Sequence, residues 1–122
     1  PNVDEEVKDK MSFEDWAKGC IAGALLGDAI GATLEFYFKV IGKKEVNKAF
    51  ELPGGGAHNV GPGQITDDGE LAMSLLHALV KGQGKLDLKQ IVRFYGKWVR
   101  SKPFDMGATT RASLFKADVN NP

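Results

Sequence analysis

The chain has a single cysteine, Cys20, among its 122 residues. An internal disulfide is therefore excluded. The position of Cys20 in an apolar run marks it as a small buried hydrophobe, and a cytoplasmic location is expected. An excess of charge is also missing, since 16 basic residues balance 16 acidic ones. A nucleic-acid binder would carry a basic stripe, so nucleic acid is not expected as a partner. The apolar run Cys20 to Leu34 is too short for a bilayer and contains Asp28, so no membrane span is expected. The opening Pro1-Asn2-Val3-Asp4-Glu5-Glu6 lacks the basic start and apolar centre of a signal peptide. No segment alternates convincingly with period two, which argues against strands and for an all-α class.

The length suits one domain with one core. Residues 1–11 are charged and read as a flexible tail, with a single helical domain from residue 12 onward. Ser12, with Asp15 three places on, is an N-cap opening a helix from Phe13 to about Thr33. Its glycines fall at every fourth position, Gly19, Gly23, Gly27 and Gly31. Each costs about 1 kcal/mol against alanine inside a helix. A stripe of this kind is expected where another helix or backbone approaches closely. Phe36-Tyr37-Phe38 is expected to pack at the following turn, and Lys43 to Phe50 to form a short helix with Val46 and Phe50 on one face. Further helices are expected over Asp68 to about Val80, over Leu88 to about Val99 behind an Asp87 cap, and over Gly107 to about Ala117. Trp16 and Trp98 are assigned to the core.

The pivotal stretch is Gly63-Gln64-Ile65-Thr66-Asp67-Asp68-Gly69-Glu70, between a glycine-rich loop and a helix. Two readings compete. Thr66 or Asp67 caps the helix, with Glu70 completing a capping box and the acids complementing the helix dipole. Alternatively, the run holds more oxygen than a cap needs. A hydroxyl beside two carboxylates is a hard ligand set suited to Mg²⁺, Mn²⁺ or Ca²⁺. Consecutive residues point about 100° apart in a helical turn, so the two acids serve neighbouring ions better than one.

Other residues carry weaker signals. The loop Leu52-Pro53-Gly54-Gly55-Gly56 lacks the Gly-Lys-Ser/Thr of a P-loop. His58 and His77 have no partner at helical spacing for zinc, which favours core or surface roles. Asp28, in apolar company within a helix, is read as a structural acid bonding a loop backbone. Glu35 and Asp105 stand at turns, where ligands are approached. The start of a helix at Gly107 and Thr109 either binds a phosphate or ribose hydroxyl or is simply capped by Thr109 or Asp105.

Three segments taken together point to a family. They are Gly23-Ala24-Leu25-Leu26-Gly27-Asp28-Ala29-Ile30-Gly31-Ala32-Thr33-Leu34-Glu35-Phe36, Gly63-Gln64-Ile65-Thr66-Asp67-Asp68-Gly69-Glu70-Leu71-Ala72-Met73, and Pro103-Phe104-Asp105-Met106-Gly107-Ala108-Thr109-Thr110-Arg111. In this order and spacing the chain resembles the ADP-ribosylglycohydrolase family, of the dinitrogenase-reductase-activating type. The resemblance implies an orthogonal all-α bundle with two Mg²⁺ or Mn²⁺ ions, cutting the bond between ADP-ribose and a protein side chain or a related ADP-ribose derivative. It implies metal ligation by Thr66, Asp67 and Asp68, catalytic roles for Glu35 and Asp105, and substrate contacts at Gly107 and Thr109. Gly69 departs from the threonine that many members carry, and Ala108 from an asparagine common in the arginine-specific branch. The family's second metal-binding segment, Asp-x-Asp-Thr, is absent. The expectation is therefore the N-terminal portion of a hydrolase, inactive alone. Its exposed apolar faces would be covered by self-association, by a second chain or by a C-terminal segment. A non-enzymatic, crystallin-like member of the same superfamily is the alternative.

Overall fold

The computed structural model describes residues 11–115. Among these, five helices account for the regular structure: α1 (Phe13–Gly31), α2 (Lys43–Phe50), α3 (Asp67–Lys81), α4 (Leu88–Arg100) and α5 (Ala108–Leu114). The nearest approach to a strand is an isolated antiparallel bridge between Gly55 and Val60. The all-α class holds. The charged tail over residues 1–10 and the last turn expected near Ala117 lie outside the described residues.

Local chemistry sets the helix starts. Ser12 Oγ accepts the Asp15 N–H at 3.1 Å while the Asp15 carboxylate accepts the Ser12 N–H at 3.0 Å, a reciprocal capping box. Those bonds hold the Asp15 carboxyl below its usual range. At α4, Asp87 Oδ1 accepts the N–H groups of Lys89 and Gln90 at 2.9 and 3.3 Å. Helices α3 and α4 form the most closely packed pair, and α1 lies against α3. A side-chain bond ties α3 to α4: Trp98 Nε1–H donates to Glu70 Oε2 at 2.5 Å.

The core is small and built from Ala29, Ala32, Ala49, Val60, Ala78 and Trp98. Several sequence expectations fail here for one reason: the faces concerned have nothing packed on them among the described residues. Cys20 is exposed, not buried. Trp98 is 8% exposed, as a core residue should be, but Trp16 is 49% exposed. Of Phe36, Tyr37 and Phe38, all more than a third exposed, Phe36 meets the His58 ring, while Phe38 is fully exposed. On α2, Val46 and Phe50 share a face at i and i+4 as expected, and the buried residue is Ala49. The glycine stripe likewise has no close partner: a Cβ built at Gly19, Gly23, Gly27 or Gly31 would meet nothing within 4 Å. No helix among the described residues is long and apolar enough to cross a membrane.

Candidate active site

The site is organised by Asp28, whose carboxylate leaves α1 and grips the start of α3. Its Oδ2 accepts the N–H groups of Thr66 and Gly69, both at 2.8 Å, and its Oδ1 accepts the Thr66 hydroxyl at 2.5 Å. This is the backbone-binding role read from sequence. It also disposes of the simple capping reading downstream. Thr66 occupies the N-cap position, yet its side chain makes no capping bond. Glu70 closes no box with Asp67, because its carboxylate accepts from Trp98.

What remains at the base of α3 is a group of oxygens not used to start the helix. Thr66 is 4% exposed, and its one hydroxyl hydrogen is committed to Asp28. The lone pairs of Oγ1 are thereby left to accept or ligate. Asp67 Oδ2 accepts the Gly107 N–H at 3.1 Å, which joins the base of α3 to the base of α5. Asp68 is driven above the usual carboxylate range by partial desolvation, and further by the charges of Asp67, Asp28 and Asp105. Such a crowd of unneutralised carboxylates around an oriented hydroxyl fits a hard divalent cation.

An open cleft of about 580 Å³ gathers these groups. Thr66, Asp67 and Asp68 line it from the base of α3, Gly23, Gly27, Asp28 and Gly31 line it from α1, and the exposed Glu35 lines it from the turn after α1. The glycine stripe is thus a wall of the cleft.

Glu35 and Asp105 meet at a residue that sequence reasoning assigned to core or surface. The His58 Nε2 atom lies 3.4 Å from Glu35 Oε2 and 3.5 Å from Asp105 Oδ2. Phe36 and Phe104 each set a ring edge against the imidazole, at centroid distances of 5.7 and 6.3 Å. The loop carrying His58 is folded onto the end of α1. Gly56 (φ +70°) lies so close that a Cβ would stand 2.7 Å from the Ala32 carbonyl oxygen, so only glycine fits. The sequence signal that could have found His58 is the pairing of Gly54-Gly55-Gly56 with the histidine two residues later, in a loop leading to the Thr66 run.

The expected substrate residues are placed near this group but less deeply. Gly107 is the N-cap of α5, and no side chain caps that helix. Its N–H is engaged by Asp67 and its carbonyl by Arg111, so it offers space and not hydrogen bonds. Thr109 is exposed on the first turn of α5.

Comparison with known proteins identifies the family. The sequence profile of the ADP-ribosylglycohydrolase family matches residues 9–121. The chain is 37% identical over 103 residues to the ADP-ribosyl-[dinitrogen reductase] glycohydrolase of Rhodospirillum rubrum, covering 84% of this chain and 35% of that protein. It is 38% identical over 107 residues to the ADP-ribosylarginine hydrolase Tri1 of Serratia proteamaculans (strain 568), covering 82% of this chain and 28% of that one. The chain thus spans about a third of the length of these relatives. Matched along almost its whole length by the family profile, the chain belongs to the ADP-ribosylglycohydrolase family.

Proposed function

We propose that this chain supplies the first half of an active site that hydrolyses the glycosidic bond between ADP-ribose and a protein side chain. The observation that carries this reading is the convergence of Thr66, Asp67, Asp68 and Glu35 on one cleft. The names of the relatives, one acting on dinitrogen reductase and others on ADP-ribosylarginine, support the substrate class.

The residues fit a pair of Mg²⁺ or Mn²⁺ ions, held on this side by Thr66 Oγ1 and the carboxylates of Asp67 and Asp68. When bound, such ions supply a grip on ribose hydroxyls and polarise a water. The remaining work falls to the side chains. Rupture of the bond at the ribose builds oxocarbenium character, which the neighbouring carboxylates stabilise by their charge. Glu35, open to solvent, takes the proton of the attacking water on a carboxylate oxygen. Asp105, half-buried behind it, assists departure of the side-chain nitrogen or oxygen. Gly107 gives the ADP-ribose room beside Asp67, and Thr109 offers a hydroxyl at the start of α5.

The remaining ligands for two ions come from a partner of this half-site, either a second chain or a C-terminal segment. The large apolar side chains left exposed, among them Phe13, Leu26, Val80 and Leu88, are the surface such a partner would cover. The test is Mn²⁺ binding by the chain, followed calorimetrically. Submillimolar binding that disappears in the Asp67→Ala and Asp68→Ala variants is the expected result, with little hydrolysis of ADP-ribosylated protein by the isolated chain. Indifference of binding to both substitutions would return the chain to a structural, crystallin-like role.

A further inference from the structure

His58 takes no part in the hydrolysis just described, yet it stands between two acids that do, Glu35 and Asp105. Its Nε2 is shielded from solvent and has no hydrogen-bond partner among the described residues. A buried nitrogen of this kind costs free energy unless something engages it. The two nearest groups are the carboxylates of Glu35 and Asp105, at 3.4 and 3.5 Å. Those separations do not suit hydrogen bonds, because a charge-assisted N–H···O contact closes to about 2.7–2.9 Å. They do suit the edges of a coordination polyhedron. With metal–ligand bonds of about 2.0–2.2 Å, adjacent ligands of a tetrahedral ion stand roughly 3.3–3.6 Å apart. Ligand atoms of Glu35, His58 and Asp105 all lie within 4.8 Å of one another. The exposed Glu35 side chain has the rotameric freedom to shorten the remaining edge.

We propose that Glu35, His58 and Asp105 form a mononuclear site for a first-row divalent transition ion of the Zn²⁺ class, separate from the oxygen ligands Thr66, Asp67 and Asp68. The donor set selects the ion. An imidazole with two carboxylates suits zinc, iron or cobalt, whereas Mg²⁺ prefers oxygen alone. Three protein ligands leave a coordination position open. The surroundings preorganise the site: Phe36 and Phe104 hold the ring from its edges, and Gly56 seats the loop against Ala32. The ion's binding does not depend on the hydrolase reading. Its consequence does, since an ion here occupies the two carboxylates assigned to proton transfer. Zn²⁺ is then an inhibitor of the assembled enzyme.

The test uses the whole chain in a Cys20→Ser background, so that the exposed thiol does not compete for metal. Co²⁺ is added and followed by visible absorption, then displaced by Zn²⁺, whose stoichiometry is measured calorimetrically. The expected result is one Zn²⁺ per chain, with a tetrahedral or five-coordinate cobalt spectrum and a shift of the His58 imidazole ¹⁵N resonance. His58→Gln and Asp105→Asn should each weaken binding by more than the ~10-fold that loss of even an outer partner costs. Circular dichroism of each variant checks that it is folded, and wild-type His58 resonances report the site without any substitution. Asp67→Asn and Asp68→Asn should leave Zn²⁺ affinity within about threefold. The proposal is overturned if the His58 resonance is unmoved by Zn²⁺. It is equally overturned if folded His58→Gln binds as well as the parent, or if the Asp67 and Asp68 variants lose Zn²⁺ to the same degree. Failure here with Mn²⁺ binding intact at Asp67 and Asp68 leaves the hydrolase reading standing, and the reverse result removes that reading alone.

Discussion

Asp28 and Asp68 lie on opposite sides of the same helix joint and have opposite fates. Asp28 is met by three donors, two backbone N–H groups and a hydroxyl, and all of its charge is spent on holding α1 to α3. Asp68, although exposed, is raised above its ordinary value by desolvation first and then by the charges of Asp67, Asp28 and Asp105. The residue type is the same. What separates a structural acid from a candidate ligand is the supply of donors, and that supply is set by neighbours far away in the chain.

The comparison is broken most forcefully at Asp28. Asp28→Ala orphans the Thr66 N–H and hydroxyl and the Gly69 N–H in a buried place, which should cost ~3–5 kcal/mol in total. Thermal and urea unfolding of the chain measure it. Asp28→Asn keeps one acceptor oxygen and should lose less. A loss under about 1 kcal/mol for the alanine variant would mean that the joint is not held by this carboxylate. The next effect is steric. A Cβ at Gly69 would stand 2.5 Å from Asp28 Oδ2 and 2.8 Å from Ile65 Cβ. Gly69→Ala is expected to destabilise by about 1–3 kcal/mol, because neither the carboxylate nor Ile65 can retreat without loss. Neutral behaviour would show that the joint can open.

The smallest effect lies on Asp68 itself. Its carboxyl, followed by ¹³C NMR, should titrate above the ordinary value of 3.8, and Asp67→Asn should bring it down. The sign for stability follows from linkage. A carboxyl raised in the fold favours the folded state as it protonates, so this group's contribution improves as pH falls through its folded value towards 3.8. Asp15 and Glu45 work the other way. Hydrogen bonds hold both low, so their stabilisation is present above 3.8 and 4.5 and is lost as acid protonates them in the fold. Asp68→Asn should therefore sharpen the acid limb of the stability curve. An unchanged limb would show that Asp68 is not strained by its neighbours.

Much of this arrangement is legible in the sequence because it is local. The Ser12–Asp15 box and the Asp87 cap depend on residues three apart or fewer, and their patterns were sufficient. The helix from Lys43 to Phe50 lies where its composition places it. The role of Asp28 is legible because an acid within an apolar helix must find donors, whereas its partners Thr66 and Gly69, 38 and 41 residues away, are not. The unreadable features are those decided by distant partners. Glu70 has the spacing of a capping box, but Trp98, 28 residues on, takes it instead. His58 has no ligand at helical spacing, because its neighbours come from Glu35 and Asp105. The exposure of Cys20, Trp16 and Phe38 depends on which faces of the described helices are covered.

The row of glycines on α1 also governs what the cleft can recognise. Along Gly23, Gly27 and Gly31 the wall is main chain, with no side chain standing on it. Such a surface gives shape and clearance but carries no chemical alphabet. Discrimination between one guest and another must come from the acids that share the cleft with it, Asp67, Asp68 and Glu35. Sequence drift in the bare wall would narrow the passage without changing its preference.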